Sequence, residues 1–186
     1  MHDPAAPAAP FHAHSREFDL QPTLRGNLVG LRPLRAEDFD DLFAVASDPL
    51  IWEQHPDNDR YRPAVFSAFF QKALESKGAF AVHDAATGRM IGSSRYHGYS
   101  ASDSVVEIGW TFLARSHWGG RYNTEMKDLM LTHAFGHVNR ALFVVGERNL
   151  RSRRAVEKLG ATLSGTRVDA AGRISVVYQI LAADWR

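Results

Sequence analysis

Two stretches of the sequence hold residue types that could do chemistry. The first, EIGWTFLARSHWGGRYNTEMK over residues 107–127, sets Glu107 in an otherwise apolar run. The same stretch places Gly119-Gly120 between Arg115 and Arg121, just ahead of a helical pattern. A glutamate among apolar neighbours needs a partner or a purpose, because an uncompensated carboxylate is costly to bury. Pairing with an arginine such as Arg95 is the structural reading of Glu107. A helix N-terminus offers unbonded N–H groups and the positive end of the helix dipole. A turn without Cβ atoms that leads into one can therefore cradle a phosphate. Arg115 and Arg121 would add charged contacts to a pyrophosphate. A plain turn with Asn123 capping the helix satisfies the same pattern.

The second stretch is ERNLRSRRAVEKLGA, residues 147–161. Asn149 reads as an N-cap and Gly160 as the stop, so the spacing predicts a helix over 149–159. Ser152 precedes Ala155, Val156 and Leu159 by three, four and seven residues and shares their inward face. Such a serine either bonds the carbonyl one turn back or, beside a phosphate-bearing cofactor, delivers a proton. Arg151, Arg153 and Arg154 form a solvated face, or ligands if a phosphate lies near. His133 and His137 have the spacing of two metal ligands on a helix. The Ala-Phe-Gly between them lacks the glutamate of H-E-x-x-H, and no third ligand is evident, so no metal is expected. Neither G-x-x-x-x-G-K-[ST] nor G-x-G-x-x-G occurs, which argues against nucleotide hydrolysis and dinucleotide binding.

The elements that must position these residues follow from periodicity. Residues 27–35 alternate as a strand whose Pro33 confines it to an edge or an end. An amphipathic helix over 36–47 stops at Asp48-Pro49, and a second over 63–76 opens on Pro63. Strands over 79–84, 89–96 and 105–113 read as an antiparallel meander. A helix over 124–138, a strand over 141–145, the 149–159 helix and a strand over 174–181 complete the order. The fold class expected is α+β, a mixed and mostly antiparallel sheet flanked by about four helices, since the late helices cross over between strands. Residues 1–20, rich in Ala, Pro and His, read as a flexible arm, and residues 21–186 as a single domain.

Composition sets the outer limits. The 186 residues are 45% hydrophobic and 23% charged, with a net charge of +1, which gives no electrostatic case for nucleic acid or an anionic membrane. Cysteine is absent, which removes disulfides, thiol nucleophiles and cysteine-based metal sites. The N-terminal sequence lacks the pattern of a signal peptide, and no apolar run approaches the ~20 residues of a membrane span. A cytoplasmic monomer or homodimer is the expectation.

In combination, three motifs in order resemble the GCN5-related N-acetyltransferase (GNAT) superfamily, in its branch of RimJ/RimL-type ribosomal-protein N-terminal acetyltransferases. VVEIGWTFL is similar to the family's carboxylate-bearing central strand. Trp118-Gly119-Gly120-Arg121-Tyr122-Asn123-Thr124-Glu125-Met126 aligns with the branch's acetyl-CoA loop W-G-K-G-Y-A-T-E-A. Asn149, Ser152 and Lys158-Leu159-Gly160-Ala161 align with its N-x-x-S helix and K-L-G-[FA]. The match runs from about Asn27 to Tyr178. It departs at Arg121, where the branch has its second loop glycine, and at Asn123, where it has a small residue. The tyrosine that many members use as general acid is absent, since no Tyr lies between Tyr122 and Tyr178.

The resemblance implies an acyl-CoA N-acyltransferase fold and acetyl transfer from acetyl-CoA to a primary amine, with no metal. The acceptor is a small-molecule amine or a protein N-terminus. It implies Glu107 as the base that takes the amine's proton and Ser152 as the group that protonates the leaving thiolate. Backbone N–H groups around Phe112 and Leu113 would polarise the acetyl carbonyl, and the loop Arg115, Trp118–Thr124 would hold the cofactor with Asn149 and Arg154. The acceptor would meet Trp52, His55, Tyr61 and Tyr96, in a region whose Asp57 and Asp59 suit a cationic amine. A non-catalytic acyl-CoA sensor on the same fold is the alternative, kept open by the altered loop at Arg121, while Glu107 and the Asn149/Ser152 pair favour catalysis.

Overall fold

The computed structural model describes residues 17–185. Eight strands form one sheet: β1 (Leu24–Arg25), β2 (Val29–Pro33), β3 (Ala79–Asp84), β4 (Met90–Ser100), β5 (Val105–Leu113), β6 (Arg140–Gly146), β7 (Thr162–Val168) and β8 (Ile174–Leu181). Their order is β1-β2-β3-β4-β5-β6-β8-β7. Every neighbouring pair is antiparallel apart from β5 and β6. The helices are α1 (Phe39–Ala46), α2 (Pro49–Trp52), α3 (Pro63–Glu75), α4 (Arg121–Phe135) and α5 (Leu150–Lys158). The α+β class and the mostly antiparallel mixed sheet are as the sequence implies.

Alternation along the strands divides the core between the two faces of the sheet. Phe80, Val82, Tyr96, Val106 and Ile108 turn to the side of α4, where Met126 and Met130 meet them. Ala79, Ala81 and Phe112 turn the other way, towards Leu42 of α1, Trp52 of α2 and Phe66, Phe69 and Phe70 of α3. Phe66 is at the centre of a ring cluster, 5.3 Å from Phe43 and 5.7 Å from Phe39.

The departures from periodicity have local causes. Asp48-Pro49 ends α1 as expected, but also starts α2. The Asp48 side chain accepts from the Leu50 N–H, and proline fits the first helical position, where its missing N–H is not needed. Helix α4 begins at Arg121 and not at Thr124, because Gly120 takes φ +113° and occupies the N-cap position itself. Asn123 therefore lies inside the first turn and does not cap the helix. Strand β7 is exposed along its whole length and lacks a buried face, so no alternation marked it.

The folded part also starts earlier than residue 21. Phe18 is buried, edge-on to Tyr96 at 5.2 Å and stacked on His133 at 5.3 Å, and His133 Nε2 lies 2.8 Å from the Asp19 carbonyl. The His133/His137 pair thus grips an aromatic wedge. Residues 1–16, with His2, His12 and His14, lie outside the described residues. Among the described residues, no helix is long and apolar enough to cross a membrane, and no three His, Asp or Glu side chains are grouped to hold a metal.

Candidate active site

Glu107 stands where the sheet opens. The parallel register of β5 and β6 runs Val105–Arg140, Val106–Ala141 and Glu107–Leu142, and ends there. From Ile108 to Leu113 strand β5 continues paired to β4 alone. Across β4 the register slips: Gly109 faces Arg95 but Phe112 faces Ser93, so β5 carries one extra residue. Trp110 absorbs the bulge at φ +51°, a conformation that bulky residues rarely take and that clusters at functional sites. Val106 and Ile108 pack towards α4, so alternation turns Glu107 to the α3 face. There its Oε2 accepts from Arg167 of β7 at 2.9 Å, and its Oε1 lies over Gly109. The arginine partner is thus Arg167 and not Arg95.

The glycine loop follows directly. Gly119 and Gly120 have φ +104° and +113°, and a Cβ built on either would meet no atom within 4 Å. The loop is open on its outer side, and no side chain caps the α4 N-terminus. Trp118 donates its indole N–H to the Leu113 carbonyl at 2.9 Å, on the β5 edge that β6 has left. Arg115 is held by Asp48, whereas Arg121 is exposed and makes no ion pair among the described residues. Tyr122 turns its hydroxyl to Asp84 at 3.0 Å. The Thr87 hydroxyl and N–H, with Tyr122, hold that carboxyl down to about 2.

Helix α5 supplies the other wall. The Asn149 side chain accepts from the Ser152 N–H at 3.1 Å, which is the cap expected. The Ser152 hydroxyl is half-buried and bonded to no protein group among the described residues. Arg154 is exposed, whereas Arg153 bonds Tyr178. Arg151 does not point to solvent: its guanidinium lies 4.2 Å from the Trp118 ring and donates to the Ile51 carbonyl at 2.6 Å. It ties α5, the glycine loop and α2 together.

The residues expected to meet the acceptor divide. Tyr96 lies on the α4 face, fully buried, its hydroxyl donating to the Met130 carbonyl. Burial and that bond make it a core residue, on the side of the sheet away from Glu107. Trp52 is buried with its indole N–H on the Ala46 carbonyl and its ring 4.9 Å from Phe112, so it forms a wall. His55 and Tyr61 are half-buried on this side. Burial, reinforced by Arg60, pushes His55 down to about 4, so it is neutral at physiological pH. The acidic character read from the sequence is cancelled at Asp57, which is paired with Arg60 at 2.6 Å and with Arg173 at 2.5 Å, while Asp59 makes no ion pair among the described residues.

Sequence reasoning missed several residues that shape this region. Glu125, the first acid in α4, reaches back to accept from the N–H groups of Asn27, Leu28 and Val29 at 2.9, 2.6 and 2.8 Å. Lys127 is buried, donating to Ser94 Oγ at 2.9 Å and Thr111 Oγ1 at 2.5 Å, with no carboxylate partner among the described residues. Burial pushes its ammonium down to about 7. Its position at i+1 of the inward-facing Met126 was the available signal. Arg167 gave none, because its partner Glu107 is sixty positions away, whereas Arg60 pairs with Asp57 only three residues before it.

Residues 29–162 match the acetyltransferase (GNAT) domain family. A comparison with curated proteins yields no match. Among solved structures, a GNAT-family protein from Chromobacterium violaceum ATCC 12472 superposes with a TM-score of 0.81 at 24% identity, covering 99% of both chains. A GCN5-related N-acetyltransferase from Brucella melitensis gives 0.74 at 26% identity, over 89% of this chain and 80% of that one. Mycobacterium smegmatis RimJ, solved with CoA-disulfide, gives 0.65 at 22% identity over 88% of each, a likeness of fold alone.

Proposed function

This chain belongs to the GNAT acetyltransferase family, and we propose that it transfers the acetyl group of acetyl-CoA directly to a primary amine, with both substrates bound at once. The reading rests on one observation: β5–β6 pairing stops at Glu107, and the gap opens beside an uncapped, glycine-led helix N-terminus.

On this reading the diphosphate of acetyl-CoA lies against Gly119–Asn123, where unbonded N–H groups and the helix dipole favour negative charge. Arg121 adds a mobile cation. The Ala114 N–H bonds the Ile91 carbonyl of β4, so alternation turns the Leu113 N–H to the opened edge, where it can polarise the acetyl carbonyl. Phe112 contributes its ring to the wall and not an N–H to the gap. Glu107, pinned by Arg167 through Oε2, keeps Oε1 to accept the amine's proton. That transfer is easier from an α-amine, with a pKa of ~8, than from a lysine-like amine at ~10.4. Ser152 donates to the departing thiolate, whose pKa is near ~8.5 as for a free thiol. Asn149 orients α5 for this. The loop and the N-x-x-S helix are similar to the RimJ/RimL branch, which makes a protein N-terminus one acceptor to try beside small amines.

Glu107→Gln tests the assignment. Acetyl-CoA affinity should hold while the rate falls ~10²–10⁴-fold near neutrality and recovers in part at high pH, where the amine arrives deprotonated. Equal loss of binding and rate, with a lowered melting temperature and no high-pH recovery, would make Glu107 structural. Acetyl-CoA binding without thiol release on any amine would make the protein an acyl-CoA sensor.

A further inference from the structure

On the α3 face, beside Glu107, the wall holds more buried positive charge than its acids neutralise. Arg95 is directly across from Gly109, and so diagonal to Glu107, on neighbouring strands. Its guanidinium is 4.8 Å from the Trp110 ring and 5.8 Å from Phe69. Arg60 covers Phe69 from 4.5 Å, so one ring serves two buried cations. Only Arg60 has an acid, Asp57, and Arg173 shares it. Arg95 is 5% exposed, its Nε has no hydrogen-bond partner, and among the described residues it forms no ion pair.

A buried guanidinium keeps its proton and presents a planar fork of donors, so leaving it unpaired is expensive. Ring faces soften that expense without supplying an acceptor. Burial and Arg60 bring its pKa down to about 10, and it remains a cation at neutral pH. The Trp110 bulge carries Arg95's ring contact on the strand that holds Glu107, and His97, opposite Glu107, meets the same ring at 5.0 Å. The unpartnered guanidinium therefore lies one diagonal step from Glu107 on the face of the sheet that an amine must approach to reach that carboxylate.

We propose that the acceptor is an amine bearing a carboxylate, and that Arg95 is the residue that binds this carboxylate. The inference rests on the acetyl-transfer reading for the word acceptor, but not for the anion site itself. A planar carboxylate takes two parallel N–H···O bonds from a guanidinium, which fixes the amine's direction as well as its charge. Amines whose carboxyl is amidated, peptide N-termini included, lack the partner.

The test uses the full chain and matched pairs of free amino acids and their carboxamides, with the corresponding N-acetyl products as binding probes. Thermal shift and calorimetry read binding, and thiol release reads turnover. The parent should bind N-acetyl amino acids in preference to their amides, and acetylate the free acids at least about tenfold better in kcat/KM, equivalent to about 1.4 kcal/mol. Arg95→Met should erase that preference, leave acetyl-CoA affinity unchanged and not lower the melting temperature. Arg95→Lys, which keeps the charge but not the fork, should retain only part of the preference. Carboxylate binding through Arg95 without turnover would uphold the anion site and overturn acetyl transfer. Equal use of acid and amide, no binding of either, or a preference that survives Arg95→Met would overturn the proposal.

Discussion

Lys127→Met should stabilise the protein, and by an amount that depends on pH in a calculable way. Burial holds the Lys127 pKa at about 7 against an ordinary 10.5. Between these values the unfolded chain binds a proton that the folded chain does not, so stability rises with pH across the window. Below about pH 7 the full difference opposes folding, roughly 5 kcal/mol at 1.36 kcal/mol per pKa unit; above about pH 10.5 none does. Ser94 and Thr111 hydroxyls also bond each other at 2.8 Å, so methionine leaves both paired while filling the same volume. Urea denaturation of parent and variant at several pH values provides the assay. The variant's advantage should shrink by roughly 2 kcal/mol between about pH 7 and about pH 9, because the parent recovers and the variant has nothing to recover. An advantage that is constant with pH would show that Lys127 is not the titrating group, and a destabilised variant would show that its two hydroxyl bonds outweigh its burial.

Glu125→Ala strips three backbone N–H groups of their acceptor and should lower stability by ~2–3 kcal/mol in denaturant titration. Gly119→Val adds a Cβ that meets nothing within 4 Å but strains a β-branched residue at φ +104°; acetyl-CoA affinity by calorimetry should fall at least ~10-fold in a protein that stays folded, with a melting temperature lowered by the strain alone. Arg121→Ala should weaken acetyl-CoA binding and flatten its salt dependence, and identical salt slopes would place the arginine away from phosphate. Together with the pH–rate profile of Glu107→Gln, these separate cradle, base and scaffold.

Residues whose role is set by their own neighbours in sequence were legible. Strand limits at Ala79–Asp84, Val105–Leu113 and Ile174–Leu181, the Asn149 cap and the Gly160 stop all follow from local pattern. The position of Glu107 in β5 was legible for the same reason. Residues whose role depends on the other end of the chain were not. Arg167 meets Glu107 across sixty positions, Arg151 meets Ile51 across a hundred, and Tyr96 reverses its expected role because strand alternation turns it to the α4 face. Asp57 looked like an available anion although Arg60, three residues on, already pairs with it, and its second partner Arg173 is 116 residues away.

Two of the three arginines in that long-range set, Arg167 and Arg173, belong to the β7–β8 hairpin, which forms one outer border of the sheet. The cradle proposed for acetyl-CoA is made by β5, α4 and α5, and none of it lies in this hairpin. On that reading the hairpin braces the acceptor side from outside, through Arg167 on Glu107 and Arg173 on Asp57. A substitution in the Asp169–Gly172 turn, remote from any reacting atom, would loosen Glu107 and the Asp57 loop together and leave the cradle unaltered. Grafting a hairpin of different sequence between relatives is accordingly a way to retune how firmly the acceptor side is held without redesigning the proposed donor site.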